Sequence, residues 1–315
     1  MSERPPLAAR VRLFVKMLTP PVVWQALKAA KDRLRPAPPP PEPEPEPAPA
    51  PVEPASPPEW EYVPEGWERR RDPSVKGWDV EAIAAANRAK WPAYLEALRG
   101  AAPLGVYHES VTSDAVDVYD HAAHNMLVTY AYVLALAAHG SDRVSVLDWG
   151  GGVGHYEVLS RAVLPPGVEL DYHCKDVPAL VAAGRELLPH ATFHDDDSCL
   201  DGSYDLVLVS GSLQYSEDWP AQLRRLGAAA SRYLYVTRLP VALRSESFVV
   251  LQRAYAYGYD TEYLGWVVSR DALLREAEEA RLRLVREFLL QAWFSAAGAP
   301  EDPVEHRGFL FRPER

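Results

Sequence analysis

The sequence predicts an α/β fold built on a doubly wound, mostly parallel sheet, and three observations carry that expectation. Residues 144–154 read Val-Ser-Val-Leu-Asp-Trp-Gly-Gly-Gly-Val-Gly, an apolar strand that ends in Asp148 and enters a glycine loop. From 144 to 237, short apolar runs alternate with helical periodicities. The runs at 204–210 and 233–237 are apolar at successive positions, as strands covered on both faces are.

The elements follow in order. Residues 7–34 have two apolar stripes, Leu7-Val11-Phe14-Val15-Leu18 and Val22-Val23-Trp24-Leu27, interrupted at Thr19-Pro20-Pro21 and surrounded by Arg and Lys. Residues 1–35 carry a net charge of +6 and read as a basic amphipathic helical segment, suited either to an anionic membrane surface or to a partner. Residues 36–61 form a Pro/Glu-rich linker with six Glu and no basic residue; thirteen prolines fall within 36–58. Such a stretch cannot bury enough apolar surface to offset its ordering entropy. Residues 62–139 form a helical, substrate-side region. One helix runs from about Asp79, its N-cap, to Leu98, and a second spans 117–139 and stops at Gly140.

The sheet domain is placed at 140–315, with strands at 144–148, 169–174, 191–194, 204–210 and 233–237. Helices lie between them at 155–163, 178–188 and 219–229. Residues 239–267 interrupt the alternation with Phe248, Tyr255, Tyr257, Tyr259, Tyr263 and Trp266. A helix at 270–280 and strands at 282–290 and 308–312 close the chain.

The phase of the glycines separates two chemistries. A dinucleotide loop follows G-x-G-x-x-G, and counting from Gly150 its third glycine would fall at position 155, which is His155. The pattern D-x-G-x-G-x-G fits Asp148, Gly150, Gly152 and Gly154 without a mismatch. This loop resembles that of the Rossmann-like class I methyltransferases, which use S-adenosylmethionine (AdoMet). The resemblance implies a seven-stranded sheet with an N-terminal helical extension, and a loop that wraps the methionine and adenosine of the cofactor. Asp176, in Lys175-Asp176-Val177-Pro178, is expected to bind the ribose hydroxyls, against a plain helix-capping role. Within His194-Asp195-Asp196-Asp197, Asp195 or Asp196 is expected near the adenine. Ser210 opens Ser210-Gly211-Ser212-Leu213-Gln214-Tyr215, at the edge where the methyl group meets its acceptor.

A closer resemblance covers about 65–312. Gly77-Trp78-Asp79, Leu147 to Gly154, Asp176-Val177-Pro178, Ser210 to Tyr215, Thr237-Arg238-Leu239-Pro240 and Arg307-Gly308-Phe309-Leu310-Phe311 resemble a bacterial methyltransferase family often encoded with surface-polysaccharide biosynthesis genes. That family implies AdoMet but no defined acceptor. The Pro-Pro-aromatic motif of base N-methylation and the Pro-Cys motif of cytosine C5 methylation are both absent after Ser210. Oxygen methylation of a glycan or another small hydroxylated acceptor remains. The alternatives are a methyltransferase acting on protein or nucleic acid, and an AdoMet-binding scaffold without turnover.

A hydroxyl needs a group to take its proton. The catalytic candidates are His155, Tyr215 and His124. Arg238, Tyr119 and His121 are acceptor-binding candidates, and Tyr107, His108 and Tyr119 are candidates for a lid. Net charge is −11, which argues against general nucleic-acid binding. Cys174 and Cys199 form neither a metal spacing nor a disulfide framework and suit a reducing cytoplasm. No metal is expected. No stretch approaches the roughly 20 apolar residues of a membrane span, so membrane contact is expected only through residues 1–35.

Overall fold

A computed structural model of the chain describes residues 57–101, 103–104 and 120–314. The basic segment 1–35, the linker as far as 56, and Tyr107, His108 and Tyr119 lie outside the described residues. Pro57–Arg315 is one compact unit, so the helices placed at 62–139 and the sheet placed at 140–315 belong to one body.

The strands and helices of this unit run in chain order as β1 (Trp60–Tyr62), α1 (Glu81–Arg99), α2 (His121–Ala138), β2 (Arg143–Trp149), α3 (His155–Val163), β3 (Glu169–Lys175), α4 (Pro178–Leu187), β4 (Thr192–His194) and β5 (Tyr204–Ser210). They continue with α5 (Trp219–Ala229), β6 (Ala230–Ala242), β7 (Phe248–Arg253), β8 (Glu262–Ser269), α6 (Arg270–Glu279), β9 (Leu282–Phe294) and β10 (Val304–Pro313).

Five strands pair in parallel in the order β6-β5-β2-β3-β4. From β2, the chain builds first toward β3 and β4 and then returns to β5 on the other side. The switch point therefore lies at the carboxyl end of β2, where Asp148 and the glycine loop stand. Side chains alternate cleanly between two cores. Val144, Val146, Leu206, Leu208, Tyr233 and Tyr235 enter the core that also holds side chains of α1 to α4. Leu147, Val207, Val209, Leu234 and Val236 enter the core under α5 and α6. Period-2 alternation with apolar residues at both phases is what a sheet covered on both faces requires.

The sheet has ten strands, three more than the expected seven. The two closing strands expected in the sequence are present as β9 and β10: β10 pairs antiparallel with β6, and β9 antiparallel with β10. The additional strands arise because β6 runs past its partner. β5 pairs with β6 only as far as Thr237, and β8 takes the vacated side at Val241 and Ala242. β7 then adds antiparallel to β8, and β1 antiparallel to β7. Residues 239–267 are thus not an interruption: they supply the end of β6, β7 and most of β8. This extension continues on β5's side of β6, beyond the carboxyl end of β5.

Two smaller expectations also change. The linker was drawn to residue 61, but Trp60–Tyr62 pair with Val250–Gln252, so the folded chain begins earlier. Asp79 does not cap its own helix, whose N-cap is Val80; its carboxylate instead accepts the Ala179 N–H, 3.0 Å away, in the first turn of α4. The helix expected at 117–139 starts at His121, capped by Asp120 through the Ala123 N–H at 3.0 Å, and is followed by Gly140 at φ +75°. Among the described residues, no helix is long and apolar enough to cross a membrane.

Candidate active site

The glycine loop is held by the ends of β3 and β5. The Gly150 and Gly151 N–H groups donate to the Lys175 carbonyl at 2.8 and 3.3 Å, and the Ser212 hydroxyl donates to the Trp149 carbonyl at 2.7 Å. Gly150, Gly152 and Gly154 all have positive φ, which side chains rarely tolerate. Their neighbours set the three apart. A Cβ on Gly150 would lie 2.2 Å from Ser212 Cβ, and one on Gly154 would lie 2.8 Å from a Leu188 methyl. Gly151, which the alternating pattern skips, would place its Cβ 2.3 Å from an Asp148 oxygen. Only Gly152 opens to space, with nothing closer than His155 Nδ1 at 3.9 Å.

That space is a cavity enclosing about 890 Å³ of empty volume, continuous with solvent. Gly150, Gly151, Gly152, Asp176 and Ser210 line it; Asp148, Gly154, Asp195 and Asp196 do not. Asp148 is wholly buried beneath the loop. Its Oδ2 accepts the Tyr172 hydroxyl at 2.5 Å, while its Oδ1 has no partner among the described residues. Burial, and then the neighbouring Asp176 charge, push its carboxyl up to about 7. Asp176 accepts the Gly152 N–H on one oxygen and the Val177 N–H on the other, each at 2.7 Å. It does not cap α4, whose N-cap is Val177. Burial holds Asp176 above the ordinary carboxylate range despite those two N–H donors. The cavity thus offers a carboxylate tied to the loop and an open glycine backbone. With the Gly150, Gly151 and Gly152 N–H groups already engaged by Lys175 and Asp176, the loop has a carboxylate to offer ribose hydroxyls and no free N–H cradle for a diphosphate.

The acid nearest the Trp149 wall is neither Asp195 nor Asp196. Asp195 is exposed and pairs with Arg185 at 3.7 Å, and Asp196 caps the following 3₁₀ turn through the Ser198 N–H. Asp197 instead accepts from Trp149 Nε1 at 3.2 Å, from Lys175 at 3.2 Å and from Arg225 at 2.8 Å. Lys175 also stands over the Trp149 ring at 5.0 Å. Trp149 and Lys175 line the cavity, and sequence reasoning passed over both although they flank its two key aspartates. Ser210 bonds the buried Tyr156 hydroxyl at 2.9 Å.

A second cavity encloses about 1600 Å³ of empty volume, open to solvent. The two cavities share Trp78, Gly211, Tyr215 and Arg238, so they meet along a seam. Tyr215 packs at the seam against Trp78 and Tyr263, each ring 5.1 Å away. Arg238 lies where β6 passes from β5 to β8, opposite a bulge in β10 between Arg307 and Phe309. Its φ of +55° is a strained conformation for a side chain, here directing a guanidinium at both cavities. Burial pulls its ionisation down to about 10, leaving it cationic at neutral pH.

The remaining candidates fall as follows. His155 opens α3 and lines the first cavity, packed against Trp91 and Tyr94. His121 and His124 line neither cavity; their helix contributes Ala122, Ala123 and Met126 to the second one instead. Of the 239–267 aromatics, Phe248 enters a core, Tyr259 lines the first cavity, and Tyr257 and Tyr263 line the second. Glu59, Gln252 and His306 also line the second cavity. No sequence motif marked them, because they come from three distant strands or strand edges. Cys174 and Cys199 are buried free thiols, and no cluster of metal ligands occurs among the described residues.

A methyltransferase-domain family model matches residues 119–287. No curated protein matches the sequence. Among solved structures, magnesium protoporphyrin IX methyltransferase from Synechocystis PCC 6803 with bound AdoMet is 15% identical, with a TM-score of 0.45 over 76% of this chain and 99% of that one. The 1,6-didemethyltoxoflavin-N1-methyltransferase of Burkholderia thailandensis is 14% identical, with a TM-score of 0.43 over 77% and 94% of the respective chains. The porphyrin and the toxoflavin precursor belong to those enzymes, and nothing about acceptors carries over from them. With more than half of its 315 residues matched, and with the glycine loop at the switch point of its sheet, the chain belongs to the methyltransferase-domain family and is an AdoMet-dependent enzyme of the class I fold.

Proposed function

We propose that the enzyme O-methylates a hydroxyl of a glycan or other small hydroxylated acceptor held in the second cavity. The observation that carries this reading is the seam: Trp78, Gly211, Tyr215 and Arg238 border both cavities, so an acceptor in one meets a cofactor in the other. AdoMet supplies an electrophilic methyl on a sulfonium. Asp176 would take the ribose hydroxyls on lone pairs left by its two N–H bonds. Trp149, braced by Lys175 and Asp197, would form the wall on the base side.

The acceptor cavity supports a polyhydroxylated, partly apolar ligand. Trp60, Tyr257, Tyr263, Trp293 and Phe294 offer flat apolar faces, while Gln214, Gln252, Glu59 and Arg238 offer polar groups. Of the three catalytic candidates, Tyr215 alone stands in both cavities, so it is the group we assign to the acceptor hydroxyl. Holding that oxygen about 3 Å from the methyl, in line with the bond to be broken, is the main contribution the protein can make.

Calorimetry with AdoMet, S-adenosylhomocysteine and NADH, followed by a labelled-methyl scan of sugars, phenols, amines, peptides and RNA, tests this. Label appearing first on hydroxylated small molecules supports the reading. Label confined to amines, peptides or RNA refutes it.

A further inference from the structure

α1 lies outside the residues 119–287 that match the methyltransferase-domain family, yet it supplies part of the wall of the first cavity. Ile83 and Asn87, one turn apart on this helix, both line the cavity, and Trp78 lines it just before the helix begins. The helix is fixed there at several points. Trp91 and Tyr94 pack on the His155 ring at 5.3 and 4.9 Å, and the Tyr94 hydroxyl donates to the His155 carbonyl at 3.0 Å. Asp79 holds the first turn of α4, and Arg88 reaches Glu186 near the end of that helix at 2.9 Å. α1 therefore spans from α3, which follows the glycine loop, to α4, which follows Asp176.

Asn87 is the polar residue that α1 brings to the cavity, and it is only 5% exposed. The lining from α1, α4 and the residues just before them is otherwise apolar, with Trp78, Ile83, Val177 and Leu180. Asn87 Nδ2 donates to the Ile83 carbonyl at 2.9 Å. A carbonyl only accepts, so this bond fixes the amide: its NH2 faces back along the helix and its oxygen faces away. Oδ1 has no partner among the described residues. Unlike the Asp148 oxygen it is not sealed from solvent, so it opens on the cavity. An acceptor on so enclosed a side chain calls for a donor from whatever fills that space.

We infer that Asn87 is a cofactor-binding residue whose amide oxygen accepts a hydrogen bond from the methionine ammonium of AdoMet. This rests on the reading that the first cavity holds AdoMet. Asp176 is the one carboxylate in the cavity lining among the described residues, and the ribose hydroxyls claim it. The ammonium is then left to a neutral acceptor. Trp91, next along the same helix face, packs on His155 immediately after the glycine loop, which puts Asn87 at the loop end of the cavity. A fixed amide oxygen there meets an N–H donor without having to turn, because its NH2 is already held by Ile83.

Isothermal titration of the full chain compares AdoMet, S-adenosylhomocysteine and 5′-methylthioadenosine, which keeps the nucleoside but lacks the amino acid. Asn87→Leu should raise the Kd for AdoMet and S-adenosylhomocysteine about tenfold and leave that for 5′-methylthioadenosine within about twofold of wild type. Leucine is the better helix former, so thermal melts should show this variant folded. Asn87→Ala, which needs no extra room, should lose as much. Asn87→Asp puts an anion where the oxygen stands and should bind AdoMet more tightly than Asn87→Leu does. Unchanged AdoMet affinity in both apolar variants would overturn the contact. An equal loss for all three ligands would move the contact to the nucleoside and overturn the ammonium assignment, as would an Asn87→Asp weaker than Asn87→Leu. Uptake of NADH in place of AdoMet by the wild-type chain would instead refute the cofactor reading, and that result is read without any variant.

Discussion

Replacing Asp176 tests most directly the proposal that the first cavity holds AdoMet. Both of its oxygens hold main-chain N–H groups at 2.7 Å, and the residue is only 9% exposed. Asp176→Ala removes two charge-assisted bonds, each worth about 1.5–3 kcal/mol in a protein interior. The stability loss should lie near the lower end of that range for a single bond, because the freed Gly152 N–H borders a cavity that water can enter. For the ligand the loss is larger. A ribose deprived of its charged acceptor forfeits about 2–4 kcal/mol, a Kd increase of roughly 30- to 1000-fold. Asp176→Asn keeps the shape but has one acceptor oxygen for two N–H groups, so its NH2 opposes either Gly152 or Val177. It should therefore bind nearly as weakly as Asp176→Ala. Isothermal titration with AdoMet measures this, alongside thermal melts that establish folding. A folded variant whose Kd stays within about threefold of wild type would refute the role given to Asp176.

Three further outcomes are expected. Asp148 has a carboxyl near 7 in the fold against an ordinary 3.8, so the folded state holds a proton that the unfolded state releases. The stability this group confers is greatest below about pH 4 and is lost as pH rises toward 7. Wild-type Tm should thus decline over that window more steeply than that of Asp148→Asn; parallel pH profiles would contradict the burial argument. Gly150→Ala should destabilise the fold through Ser212 and be partly rescued by Ser212→Gly, while Gly152→Ala should weaken AdoMet with less effect on Tm. Equal Tm losses would show that the loop does not divide its labour in this way. Lys175→Ala removes the 3.2 Å pair to Asp197 and the cation over Trp149, and should raise the AdoMet Kd about five- to tenfold in calorimetry.

The parallel half of the fold was legible because its signals are local. A strand buried on both faces must be apolar at successive positions, and a loop forced to positive φ must carry glycine, so Val144 to Gly154 announces itself. The places of Asp148 and Asp176 at strand ends were legible for the same reason, but that Asp148 lies beneath the loop and outside the cavity was not. Asp197 was not, because three consecutive aspartates follow β4 and only the course of the chain decides which one turns toward Trp149. The β7–β8 pair was missed because its aromatics read equally well as a cap. What makes it a strand pair is the extra length of β6, and that shows only once β5 stops at Thr237.

By itself the chain determined the class of enzyme, the switch point and the cofactor loop, since each depends on residues close in sequence whose backbone demands few amino acids can meet. The second cavity was decided by tertiary structure alone. Glu59, Tyr215, Arg238 and Gln252 lie far apart along the chain and meet because β6 overruns β5, β8 fills the side left open, and β7 and β1 follow it. Long-range pairing of this kind leaves no periodic trace in the sequence, because those side chains share one cavity only after the strands have come together.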